Sequence, residues 1–374
     1  MSSLFLAARK KLPIILILFT IAAGVLWWQR TPVMCWYYLR GLSQADEATR
    51  AWWVENTSGL GQDAVPGLID LLRQKDARVC VNSEAALAAI ARQWGASDAR
   101  TAALAEELAL HYNGFSAAGR EAVLEWHLAM LHDPEGKKTA SPALSGTAAK
   151  LLIACAKVQD KGTRLRALAL AELLLAGGTA APVDLCRELA ADGMASSDPE
   201  IRSRAIRLVM HAPLHTEKAL VEQVVAFLKD PAAEVRRSAV LTVGLAEETI
   251  GIQDMLTLLH DPDADVRRLC EQALRGRGLQ DDHIKLATMI SDPLARERVN
   301  VVHLLPDIED LDPELWLLHL SQDSSPAVRA AAIRFAADNP GAADFRAQML
   351  HMSQNDGSPT VRQLAAFYLK AYKR

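Results

Sequence analysis

Five aspartates each stand six residues before an arginine: Asp230 and Arg236, Asp261 and Arg267, Asp292 and Arg298, Asp323 and Arg329, Asp356 and Arg362. The arginines step by 31, 31, 31 and 33 residues. Carboxylates and guanidiniums at fixed spacing can do two things. They can pair with each other through charge-assisted, often bidentate hydrogen bonds, or the arginines can form a stripe that binds anions. Because every arginine carries its own aspartate at constant distance, the pairing reading is preferred, and the ten residues are read as structural rather than catalytic.

The remaining chemistry is sparse. Five cysteines (Cys35, Cys80, Cys155, Cys186, Cys270) form no CxxC, and their odd number does not suggest a disulfide framework. Cys155 and Cys186 fall on helices of adjacent units, where an oxidising compartment would let them pair. His211 and His215 have the i, i+4 spacing of two metal ligands on a helix, but Pro213 between them points to a turn. No P-loop, GxSxG or GxGxxG fingerprint occurs. No catalytic residue, metal site or cofactor is expected.

The elements that carry the charges repeat as well. In Asp261-Pro262-Asp263-Ala264-Asp265-Val266-Arg267, Asp261 reads as a helix N-cap and Pro262 as the first helical residue. Val266, Cys270, Ala273 and Leu274 then form one apolar stripe. Before them Met255–Leu259 is a short apolar helix, so the unit is helix, turn, helix. Val235, Val266, Val328 and Val361 share one slot. Ala239, Cys270, Val301, Ala332 and Ala365 share another, three residues after each arginine. Glu297 departs from the valine slot, which puts in doubt the packing under Arg298. Looser copies lie around Asp160/Arg166 and around Arg202, where Ser196 takes the aspartate place.

This pattern resembles HEAT repeats, in a short bacterial form with Asp-Pro turns and Val-Arg opening the second helix. The likeness runs over roughly residues 60 to 374. It implies an all-α fold, a right-handed α-solenoid of about nine helix pairs, with the turn aspartates bonded to arginines of neighbouring units. HEAT-like enzymes are similar in architecture, but the His-Glu pairs of the deoxyhypusine hydroxylases are missing here, and the basic aromatic groove of the alkylpurine glycosylases does not suit an acidic chain. Nothing marks a phycobilin lyase.

Composition agrees with packed helices: half of the 374 residues are hydrophobic and only 5% aromatic. Net charge is −4; the first 30 residues hold four bases and no acid, leaving 37 bases against 45 acids in the rest. An acidic body makes nucleic acid an unlikely main partner. Leu12 to Trp28 runs without a charge, after Arg9-Lys10-Lys11 and before Trp36, Tyr37 and Tyr38. That pattern predicts a transmembrane signal anchor over 12–29, with a cleaved signal peptide or a buried core helix as alternatives. The expected order is a basic tail (1–11), the anchor (12–29), a helical cap (31–60) and the solenoid (61–374) with a loop insertion at 132–145. The expected protein is a non-enzymatic, single-pass scaffold at a bacterial envelope. Its N-terminus would be cytoplasmic and its solenoid outside, with a lipid bilayer and an unidentified protein as partners. A lyase or hydrolase holding a small molecule in the concave groove is the alternative, and reversed topology would make a cytoplasmic adaptor.

Overall fold

The computed structural model describes residues 30–132, 141–178, 181–246, 248–305, 313–339 and 345–371. All regular structure there is helical. The chain divides into two compact units, Met1–Thr216 and Glu217–Arg374.

In the first unit α1 (Arg30–Gln44) and α2 (Arg50–Ser58) pack together and onto α4. Helix pairs follow: α3 (Val65–Leu71) with α4 (Ala77–Trp94), α5 (Ala99–Leu110) with α6 (Ala117–Leu131), α7 (Pro142–Cys155) with α8 (Lys161–Ala176), and α9 (Val183–Met194) with α10 (Pro199–Val209). The second helices α4, α6, α8 and α10 pack side by side in chain order. Their starts are written in the sequence. Asp76, Ser116, Asp160 and Asp198 each accept a backbone N–H from the first turn of these helices, as Asp98 does for the first helix α5, which satisfies donors the helix leaves orphaned.

One polar contact fixes the cap and one close approach seats the next pair. Asn82 is buried and its Nδ2 donates to the carbonyls of Leu42 and Ala45, at 3.0 and 3.1 Å. Gly119 lets α6 close onto the end of α3: a Cβ there would lie 1.9 Å from the Leu72 carbonyl oxygen.

The second unit repeats the pattern. Its pairs are α11 (Lys218–Val225) with α12 (Ala233–Val243), α13 (Ile252–Leu256) with α14 (Ala264–Gly276), α15 (Asp281–Ile290) with α16 (Ala295–Leu304), α17 (Pro313–Leu320) with α18 (Pro326–Asp338), and α19 (Arg346–Asn355) with α20 (Pro359–Ala371). The valine and small-residue slots are fully buried. The second helices pack as α12 on α14, α16 on α18 and α18 on α20, but no comparable packing joins α14 to α16.

Three expectations change. The N-cap of α14 is Asp263, which accepts from Asp265 N and Val266 N, so Pro262 lies in the turn and not in the helix. Helix α7 begins at Pro142, inside the expected 132–145 loop, of which 133–140 lie outside the described residues.

The membrane reading is the third. Among the described residues no helix is long and apolar enough to cross a membrane. A span needs about 20 predominantly apolar residues. The longest described helix, α4, has 18 and carries Arg78, Glu84 and Arg92. Residues 12–29 lie outside the described residues. The transmembrane helix before the solenoid, the single-pass placement in the cell membrane, the envelope role and the bilayer as partner are therefore withdrawn. A helical repeat remains.

The close approach at Gly119 makes a measurable demand. Gly119→Ala should destabilise the chain by about 1–3 kcal/mol, because the clash is with backbone. Gly146→Ala in α7, where an added Cβ meets nothing within 4 Å, should be neutral or stabilising by up to about 1 kcal/mol. Urea denaturation of both variants checks the contrast.

Candidate functional site

The sequence singled out a row of charges in the second unit, and the structure gives each charge a place. All five aspartates close the turn between the two helices of a pair. Through Oδ1 they accept the backbone N–H two residues on, Ala232, Asp263, Leu294, Ser325 and Ser358, at 2.7–2.8 Å. All five arginines reach back into their own turn. Nη1 donates to the carbonyl of the aspartate six residues earlier, in Arg236, Arg267, Arg298, Arg329 and Arg362 alike. The constant spacing of six thus reflects a backbone contact within one unit.

The carboxylates serve the preceding unit. Arg236 grips Asp261 with Nε and Nη2 at 2.6 and 2.8 Å. Arg298 grips Asp323 at 2.7 and 2.9 Å, and Arg329 grips Asp356 at 2.8 Å through both nitrogens. The pairs are largely removed from solvent; Arg236 and Asp261 are both buried. The hydrogen bond from its arginine holds the Asp356 carboxyl below the usual carboxylate range. In Asp323 the Arg298 and Ser325 bonds overcome desolvation, the largest single influence, and the net direction is the same.

The rung between Arg267 and Asp292 does not close. Among the described residues Arg267 makes no ion pair and donates only from Nη1, to Asp261 O and Pro262 O at 2.6 and 3.2 Å. Asp292 lies 4.0 Å from Nδ1 of His260 instead. The sequence placed the doubtful packing under Arg298; the open rung is the one before it. Glu297 explains the shift. A carboxylate cannot take the buried valine position without losing its hydration. Glu297 stays partly exposed, bonded to Arg296 and Asn300, and α16 stands away from α14.

The second-helix surface of the first unit carries a different set. Arg166 on α8 bridges Glu121 and Glu125 on α6, both at 3.1 Å. Arg207 on α10 meets Glu172 on α8 at 2.8 Å. Between α4 and α6 Glu84 faces Glu125, and Arg92 on its own helix offsets only part of that repulsion. Burial, reinforced by Glu125, pushes the Glu84 carboxyl up to about 7. Sequence reasoning missed Glu84, since only packing shows that it is half-buried. On the far side of α6, His127 is buried, with Nδ1 on the Val123 carbonyl at 2.9 Å, and burial lowers its pKa to about 4.

The other candidates separate. The five cysteines are free thiols, so Cys155 and Cys186 do not pair. Burial pushes their thiols up to about 12 and about 11. Cys155 walls a recess shared with Val158, Gln159, Arg164, Leu168, Leu189 and Asp192. His211 and His215 lie around the short 3₁₀ turn Leu214–Thr216, and His211 is 3.7 Å from Glu172. No cluster able to hold a metal occurs among the described residues.

Two predictions follow from these surroundings. Asp261→Asn leaves the buried Arg236 without its counter-charge and should cost on the order of 3 kcal/mol. Asp292→Asn keeps the turn bond and removes no rung, so its cost should stay below about 0.5 kcal/mol; thermal unfolding of the two variants compares them. The pH dependence has opposite signs at two sites. Glu84 is held protonated above its unfolded range, so its contribution is full below pH 4.5 and lost as pH rises through about 7. His127 is held neutral, so its contribution is full above pH 6.5 and lost as pH falls through about 4. Glu84→Gln should therefore stabilise the chain at pH 8 by about 1–3 kcal/mol and leave stability near pH 4 unchanged.

Comparison with known proteins bears on the fold alone. No curated protein matches the chain. Among solved structures an engineered protein from a structural genomics consortium is similar over 91% of this chain and 94% of its own. Its identity is 14% and its TM-score 0.43, too loose a likeness to support an argument. The family model for HEAT repeats matches residues 187–275, a stretch that contains the first closed rung, Arg236 to Asp261.

Proposed function

We propose that this chain is a non-catalytic helical-repeat scaffold that binds a protein partner along the exposed surface of its second helices. The observation that carries this reading is the division of labour among side chains. Most of the repeating charges are consumed in turns and rungs, and the second helices, like the first helices at Leu110, Ile153 and Leu350, leave large apolar side chains in solvent. Val81 on α4, Leu241 on α12 and Phe367 on α20 are 46%, 49% and 65% exposed. Exposed apolar groups rimmed by charge suit a protein surface, where a few desolvated anchors supply most of the affinity. The match of residues 187–275 to HEAT repeats supports the same kind of use.

The test is photo-crosslinking in cells that express the full chain. A photoreactive residue replaces Leu241 in one variant and Leu110, 77% exposed at the end of the first helix α5, in another. Leu241 should yield one defined protein adduct, competed away by excess unmodified chain, and Leu110 should not. Absence of a saturable adduct from Leu241, Val81 and Phe367 alike would overturn the proposal.

A further inference from the structure

The open rung is more than a missing contact. Three arginines of the second unit show how this fold holds a carboxylate: Nη1 is tied to two carbonyls of its own turn, and Nε and Nη2 present a fork to the two oxygens. Arg267 has the first half of that arrangement, with Nη1 on Asp261 O and Pro262 O, as Arg236 has with Asp230 O and Pro231 O. Its guanidinium is thus anchored in the same turn. Its fork is unfilled among the described residues, although the aspartate that would fill it is present one unit on. Arg362 also lacks a carboxylate, but no turn follows it among the described residues; Arg267 is the internal exception.

Two further observations bear on what could fill the fork. Asp292 keeps the turn bond that all five aspartates make, Oδ1 on Leu294 N at 2.7 Å, but its Oδ2 lies 4.0 Å from His260 and not on the fork. Leu294 takes the place that Ala232, Asp263 and Ser325 hold in the other units, before the second helix, and is 50% exposed. An apolar side chain in solvent thus stands at the start of α16, and an unfilled bidentate donor on α14. Guanidinium forks match carboxylates in shape and charge.

We propose that Arg267 is a recognition site for an aspartate or glutamate side chain of a protein partner, which takes the place that Asp292 leaves. The proposal rests on the reading of the chain as a protein-binding scaffold and names one feature of the partner. It also makes Asp292 an internal competitor. If α16 closes onto α14, Asp292 reaches the fork and the site is lost; Glu297 keeps it open.

The probe is a fluorescein-labelled tetraglutamate peptide, with tetraglutamine as the neutral control, read by fluorescence anisotropy on the full chain. The unaltered chain should bind tetraglutamate and not tetraglutamine. Arg267→Gln should weaken binding by about tenfold or more, and Arg268→Gln, beside it but exposed, by less than about twofold. Asp292→Asn should strengthen binding by removing the competitor. Glu297→Val should weaken it by restoring the buried slot, with no loss of thermal stability to show that the variant folds. Absence of binding at millimolar peptide, equal binding by Arg267→Gln, or equal losses at Arg267 and Arg268 would overturn the site. Competition by inorganic phosphate as strong as that by tetraglutamate would show a general anion site and overturn the assignment to a carboxylate. The two readings fail separately. A Leu241 adduct that survives Arg267→Gln with unchanged yield sinks the site and leaves the scaffold. Arg267-dependent peptide binding without any adduct sinks the scaffold and leaves the site.

Discussion

One guanidinium contact organises the second unit. Each arginine ties its own helix to its own turn through Nη1, and in three units it also holds the carboxylate of the next turn. That carboxylate in turn closes its own turn through a backbone N–H. Local turn geometry and spacing between units therefore share atoms, and neither can shift alone. A largely desolvated pair of this kind adds little net stability over an apolar alternative. Its fixed bidentate geometry sets how one pair is seated on the next.

The apolar slots come first in the causal order. Val235, Val266, Val328 and Val361 are fully buried, and burying each contributes about 1.5–3 kcal/mol. That burial brings neighbouring second helices within reach, and only then can an arginine meet the following aspartate. Glu297 shows the dependence by exception. The change is on α16, yet Arg298 on that helix keeps its carboxylate, because the α16–α18 contact is intact. The failure falls on the α14–α16 side.

The spacing of the charges was enough to read the helix-turn-helix unit and the turn contact six residues apart, because both arise from local backbone geometry. It could not separate the contact within a unit from the contact between units, since each aspartate offers a carbonyl to one arginine and a carboxylate to another. Asp261 and Asp263 stand two residues apart and are equal candidates for the cap on composition; only the turn decides that Asp263 caps α14. The departure at Glu297 was visible, but which neighbour it disturbs depends on the side of the helix that the slot faces. Glu84 was invisible because its environment is made by α6, more than thirty residues away in sequence. The apolar run at 12–28, with bases before it and aromatics after it, invited a membrane helix, while the described helices are short and mostly amphipathic, as packed pairs require.

The first unit seats most of its pairs by other means, although Arg202 repeats the reach into its own turn, with Nη1 on the Ser196 and Ser197 carbonyls, and Lys161 meets the turn aspartate Asp198 at 2.8 Å. Arg166 and Arg207 cross between second helices with glutamates that do not belong to turns, and backbone closeness at Gly119 and the Asn82 bonds to Leu42 and Ala45 do the rest. Such contacts are specific to each junction, so one can be altered without a matching change elsewhere. A repeating ladder behaves differently: its rungs share one geometry, and a junction that departs from it leaves a donor already shaped for the group it has lost. That difference explains why an unfilled carboxylate site arises in the second unit, whereas in the first the corresponding irregularity is Glu84, a carboxylate pushed toward its neutral form.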